Sequence, residues 1–242
     1  MSRPISYPVP WDQVISLTPH IRHGTRKDLS AFTAAIVARM SPAPIIEGCN
    51  HLPVSPRFLL VANHYQRKGL WILHSAAVVT QAILRHYGPE TPPALPPVRW
   101  LVTANWPPVR LGSWKLPSPG DWLLPRVAHA LWCYPVSFAG SNPAFTARSI
   151  RTILRDAKTA TRPIGLFPEG VAGGAGTLHP PLPGVERLIA QLARVNVPAV
   201  PVGISETSGR FLIRFGAAIP ADELCGSANA AELCMARVAE LL

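Results

Sequence analysis

A chain of 242 residues, 48% hydrophobic and only 15% charged, is long enough to bury a substantial core and excludes a disordered polypeptide. Its 23 Lys and Arg against 13 Asp and Glu give a net charge of +10, which excludes an acidic protein and favours phosphate-bearing partners. The four cysteines, Cys49, Cys133, Cys225 and Cys234, show no C-x-x-C spacing, which argues against a zinc site or disulfide framework and fits a reducing compartment.

In chain order, the first ten residues carry no apolar secretory core, so the chain is expected in the cytoplasm. Residues 1–45 read as an N-terminal helical arm. Asp28 opens a segment in which Phe32, Ile36 and Met40 fall four apart, and Pro42 and Pro44 end it. Arg22, Arg26, Lys27 and Arg39 sit among apolar residues there, a pattern shared by interfacial helices and by helices packed on a core. Residues 46–242 read as one α/β domain. The run 57–62 suits a buried strand and 70–87 a helix, while 98–103 and 134–138 are further strands. Helical spacing returns at 149–161 through Ile150, Ile153, Leu154 and Ala157, and at 185–195 through Val185, Leu188, Ile189 and Leu192. Strands are expected at 164–167, 199–204 and 210–215, and a helix at 228–242. Strands alternating with helices predict an α/β fold, a mostly parallel sheet with flanking helices.

Between Pro89 and Pro125 this periodicity fails. Ten of the 28 prolines lie there with Trp100, Trp106, Trp114 and Trp122. Residues 89–125 therefore read as a Pro/Trp-rich insertion: a lid, a membrane contact or an irregular core. The charge is uneven too. Residues 61–162 hold 12 basic and 3 acidic side chains, with six of the seven tryptophans, which predicts attraction to an anionic membrane surface. The longest apolar stretch, 69–84, is interrupted by His74 and Gln81 and falls short of the roughly 18–20 residues of a membrane-spanning helix.

Two segments carry chemistry. Val61-Ala62-Asn63-His64 ends a buried strand, where α/β folds place ligands, and a neutral imidazole can remove a hydroxyl proton near pH 7. Leu166-Phe167-Pro168-Glu169-Gly170 also ends a strand. Gly173-Gly174-Ala175-Gly176 follows it, as an anion-binding concavity or a plain loop.

Together these segments resemble the glycerolipid acyltransferase family that includes bacterial lysophosphatidic acid acyltransferases. Glu47-Gly48-Cys49-Asn50-His51-Leu52-Pro53 looks like the approach to the family's first block, and Asn63-His64 like the opening of its N-H-x-x-x-x-D block. Tyr134-Pro135-Val136 sits in the place of the second block and Phe167-Pro168-Glu169-Gly170 matches the third. Gly184 and the run Val197-Pro198-Ala199-Val200-Pro201-Val202 match the fourth. The series departs from the family at Gly69, where aspartate is expected, at Ala139-Gly140, where an arginine is expected, and at Val171-Ala172, which replace Thr-Arg.

The resemblance implies acyl transfer from an acyl-CoA or acyl carrier protein to a glycerolipid or other hydroxyl acceptor in phospholipid metabolism. His64 would be the catalytic base, and Phe167, Pro168, Glu169 and Gly170 would hold substrate. It implies no metal and no prosthetic group. On this reading Arg67 and Lys68 would take the place of the expected arginines as phosphate ligands, and Glu169 or Asp121 that of the expected aspartate. The expected location is cytoplasmic, peripherally on the inner face of the membrane. The alternative is a catalytically silent lipid- or acyl-chain-binding protein of the same fold. Nucleic-acid binding is not expected, since no helix-turn-helix, zinc or RNP signature occurs.

Overall fold

The computed structural model describes residues 6–88, 98–104, 109–111, 114–116, 119–137, 142–159, 161–174 and 177–242. Seven strands form one sheet: β1 (Ile45–Glu47), β2 (Leu59–Ala62), β3 (Arg99–Thr103), β6 (Tyr134–Val136), β7 (Ile164–Leu166), β8 (Ala199–Thr207) and β9 (Arg210–Phe215). Their order across the sheet is β1-β9-β8-β2-β7-β3-β6, and every neighbouring pair is parallel except β8 with β9. Two short strands, β4 (Val109–Leu111) and β5 (Trp114–Leu116), form a separate antiparallel pair.

The strand residues alternate between two cores, as a pleat of period two requires. Leu60 and Ala62 of β2 face one layer with Val200, Val202 and the helix α4 (Ile72–Tyr87). Leu59 and Val61 face the other, built by α6 (Pro143–Thr159), α7 (Val185–Ala193) and α9 (Ala230–Ala239). Both faces of the central strands are therefore buried, which is why 57–62 reads as a continuous apolar run. Burying each such side chain contributes about 1.5–3 kcal/mol.

Three helices precede the sheet: α1 (Trp11–Ile15), α2 (Thr18–His23) and α3 (Leu29–Val37). The Asp28 carboxylate accepts the backbone N–H groups of Ser30 (2.9 Å) and Ala31 (3.2 Å), which starts α3. Phe32 and Ile36 are buried against Ala77 of α4, so this face of α3 meets the core.

Several elements depart from the sequence pattern for identifiable reasons. β1 has three residues between Pro44 and Gly48, too few to show alternation, yet it completes the sheet edge beside β9. The 89–125 segment is not one insertion. It contributes β3, in the body of the sheet, and the start of α5 (Pro119–Ala130), which accommodates Pro125. Residues 89–97, 105–108, 112–113 and 117–118 of the expected lid lie outside the described residues. The helix expected at 228–242 is α9, started by the Asn229 side chain, which accepts the Glu232 N–H at 3.2 Å, and a short α8 (Ala221–Gly226) that the sequence pattern does not show precedes it.

Candidate active site

Parallel β2 and β7 pair with Val61 opposite Leu166. Three residues further along each strand, the same register brings His64 level with Glu169 at the carboxyl rim of the sheet. Glu169, 1% exposed, ties the rim together through the backbone. One carboxylate oxygen accepts the His64 N–H, and the other accepts the His179 N–H at 2.7 Å. Its hydrogen bonds thus go to main chain, not to the imidazole expected to need a carboxylate. Asp121, the other candidate for that role, is exposed on α5. The His64 carbonyl accepts the Gly173 N–H at 2.9 Å, so this glycine closes the loop onto His64 and has no N–H left for an anion. Residues 175–176 of the glycine cluster lie outside the described residues. Beside it, the buried Asn63 amide pairs both ways with Ile204 of β8 (2.9 and 2.7 Å), which fixes the end of β2.

The His64 ring meets Phe167 edge-on with centroids 5.2 Å apart, and Phe167 stacks on Trp100 at 4.7 Å and 9°. Trp100 can lie flat over β7 because residue 165 is glycine; a Cβ there would sit 2.3 Å from the indole. Burial is the main influence on His64 and pushes its pKa below the usual 6.5. Its own carbonyl and the Glu169 charge oppose that shift. The imidazole is therefore neutral at pH 7. Its Nδ1 is buried and has no hydrogen-bond partner among the described residues.

The absent partner has a cause in the loop that follows. Arg67 and Leu70 exchange backbone hydrogen bonds (3.1 and 2.9 Å) around Lys68-Gly69, so the chain turns tightly and α4 begins only at Ile72. Gly69 has φ +82°, the left-handed region that favours glycine. A Cβ on it would lie 2.6 Å from the Ser6 Oγ, and the Gly69 carbonyl accepts the Tyr7 N–H at 2.8 Å. The space a side chain would occupy is filled by the N-terminal segment.

Arg67 and Lys68 do not assemble as a phosphate site. Arg67 forms a two-point ion pair with Glu206 (Nε–Oε1 2.6 Å, Nη2–Oε2 2.5 Å), and the Tyr65 hydroxyl donates to the same Oε1 at 2.6 Å. A guanidinium already matched to a carboxylate is neutralised as a ligand for phosphate. Lys68 is exposed on the turn. The sequence offered no sign of this pair, because Glu206 lies on β8, far along the chain.

His64, Phe167 and Gly170 line a cavity of about 1110 Å³, just above the roughly 300–1,000 Å³ usual for small-molecule sites. It runs over the ends of β3, β6 and β7, from Phe32, Leu73 and Ala76 on α3 and α4 to Ile150 and Leu188 on α6 and α7. Pro168 is buried behind it, its carbonyl accepting the Leu182 N–H at 2.8 Å. Cys133 also lines the cavity, but burial pushes its thiol up to about 12, so it is not a thiolate nucleophile at neutral pH.

No protein-family model matches the chain, and no curated protein sequence matches it. Among solved structures, the chain is similar to the 1-acyl-sn-glycerophosphate (LPA) acyltransferase PlsC from Thermotoga maritima. The TM-score is 0.51 at 15% identity, covering 95% of this chain and 79% of that one. At that identity the likeness is one of fold: the mostly parallel seven-stranded sheet with flanking helices is acyltransferase-like. Among the described residues, no helix is long and apolar enough to cross a membrane.

Proposed function

We propose that the chain transfers an acyl group from an acyl thioester, on coenzyme A or an acyl carrier protein, to a hydroxyl of a glycerolipid or related acceptor in phospholipid metabolism. One observation carries the reading: His64, a neutral imidazole at the carboxyl rim of a parallel sheet, opens into a large and mostly apolar cavity. In this mechanism the imidazole takes the acceptor's hydroxyl proton as the oxygen attacks the thioester carbonyl. The tetrahedral intermediate then collapses with cleavage of the C–S bond, and the imidazolium returns the proton to the departing thiolate. Phe167 and Gly170 wall the acyl-bearing space, and Glu169 positions His64 through its backbone N–H. The acyltransferase-like fold supports the reading.

Without a carboxylate on Nδ1, the imidazolium formed during attack is poorly stabilised. Loss of the comparable aspartate in the serine-protease triad costs roughly 10⁴ in turnover, so a slow enzyme is expected. That same orphaned Nδ1 favours the second reading, a silent binder that keeps the acyl chain in the cavity and performs no chemistry. In either case the protein works as a peripheral protein on the cytoplasmic face of the membrane. Trp11, Ile15 and Trp122, 58%, 65% and 60% exposed, supply apolar contacts for such a surface. Mass spectrometry of the purified protein with acyl thioesters and lysolipid acceptors tests the proposal. A product whose mass is the acceptor plus one acyl group supports transfer, whereas a bound acyl chain without product supports the binder.

A further inference from the structure

The family's usual arginines are absent from the loops around His64, and Arg67 is committed to Glu206. Two solvent-exposed arginines nevertheless contribute to the lining of the cavity elsewhere. Arg151 on α6 and Arg187 on the first turn of α7 both line it, and no acidic side chain does so among the described residues. Neither arginine has a carboxylate partner among the described residues. The acidic groups of the same two helices are occupied elsewhere. Asp156 faces Arg99 at 2.6 Å and Arg155 at 3.6 Å, and Glu186 accepts the N–H groups of Ala230 (3.1 Å) and Ala231 (2.9 Å). Both arginines are solvent-exposed and stand on neighbouring helices, and a cleft lined by one sign of charge, here positive, attracts anions. A multi-oxygen anion suits such a pair, since each guanidinium can bind it at two points. The walls that continue from these arginines toward His64 are apolar and suit a hydrocarbon chain.

We infer that Arg151 and Arg187 form the anion-recognition site of this cavity, holding a phosphate group of an amphiphilic ligand at the α6–α7 end while its apolar part lies toward Phe167 and Trp100. The inference rests on the cavity being the substrate site of the proposed reaction. Its test reads binding alone, so a failure here is distinct from a failure of acyl transfer. The phosphate is that of a lipid head group or of the acyl donor, and the probes separate the two.

Calorimetric titration at low salt compares decyl phosphate, decanol and free coenzyme A, with the wild type, Arg151→Gln, Arg187→Gln and the double variant. Decyl phosphate is expected to bind about tenfold more tightly than decanol, the scale of two partly exposed charge-assisted contacts. Each single variant should lose part of that preference and the double variant nearly all of it, with decanol affinity unchanged as the control for an intact cavity. Coenzyme A binding that disappears in the double variant assigns the phosphate to the donor; decyl phosphate preference with no coenzyme A binding assigns it to the lipid. Equal affinity of the wild type for decyl phosphate and decanol, or a preference undiminished in the double variant, would overturn the inference.

Discussion

Replacing Glu169 tests whether its carboxylate is a structural clasp. Glu169 is buried, and its two oxygens accept one N–H from each of two loops, those of His64 and His179. A hydrogen bond to an ionised acceptor contributes about 1.5–3 kcal/mol, and a buried donor left unpaired costs about 1–3 kcal/mol. Glu169→Gln keeps one acceptor oxygen but turns an NH₂ group toward a backbone N–H, so one bond is lost and two donors face each other. We expect a loss of about 2–4 kcal/mol, and about 3–6 kcal/mol for Glu169→Ala, out of the 5–15 kcal/mol typical of a folded domain. Urea unfolding followed by tryptophan fluorescence should show a lower midpoint at unchanged slope. Amide exchange should accelerate at His64 and His179 before the rest of the sheet. If Glu169→Gln unfolds at the wild-type midpoint with both amides still protected, Glu169 does not hold the rim and the geometry of the site has been misread.

The other predictions concern the loop, the proton and the surface. Gly69→Ala should destabilise the protein by about 2–3 kcal/mol, from a left-handed φ and displacement of Ser6, and Gly69→Asp, although better tolerated at that φ, should also lower stability without adding activity; chemical denaturation and the transfer assay check both. Burial also pushes the His74 pKa below 6.5, as it does for His64. Below that value the unfolded chain takes up protons that the folded one refuses. Stability should therefore fall as pH drops below 6.5 through the lowered folded pKa values, and His64→Gln should shrink the slope measured by urea titration. By the same sign, transfer rates should already reach their plateau by neutral pH, with a midpoint below that of a free imidazole. Co-sedimentation with anionic vesicles should be strong at low salt, weaken as salt shortens the Debye length, and diminish for Trp11→Ala with Trp122→Ala.

Much of the fold was legible because its signals are local. The β2 run is apolar throughout since both its faces are buried, and α6 and α7 show their stripe since one side of each meets the sheet. β1 was hidden by its three-residue length, and α5 by Pro125, which a helix tolerates where its context supplies the packing. The positions of His64 and Glu169 at strand ends could be read, but what Glu169 holds could not: its partners are backbone N–H groups, which no residue type announces. The sequence leaves Arg67 available for phosphate because Glu206, which neutralises it, is distant in sequence and near through the pairing of β2 with β8. By spacing Gly69 falls where the resemblance expects an aspartate, yet in the fold it is a tight turn with Ser6 against it, a contact no pattern of spacing encodes.

Acyl transfer by His64 is tested most directly by the rate at which the purified protein converts an acyl thioester and a lysolipid into acylated product, compared with that of His64→Ala. The variant should fold, because His64 contributes a backbone N–H to Glu169 that alanine retains. We predict a slow but measurable wild-type rate at pH 7 and none above the uncatalysed background in the variant. Equal rates in the two proteins would remove His64 as the base, and a wild type that binds the acyl chain yet forms no product with any donor would contradict acyl transfer itself.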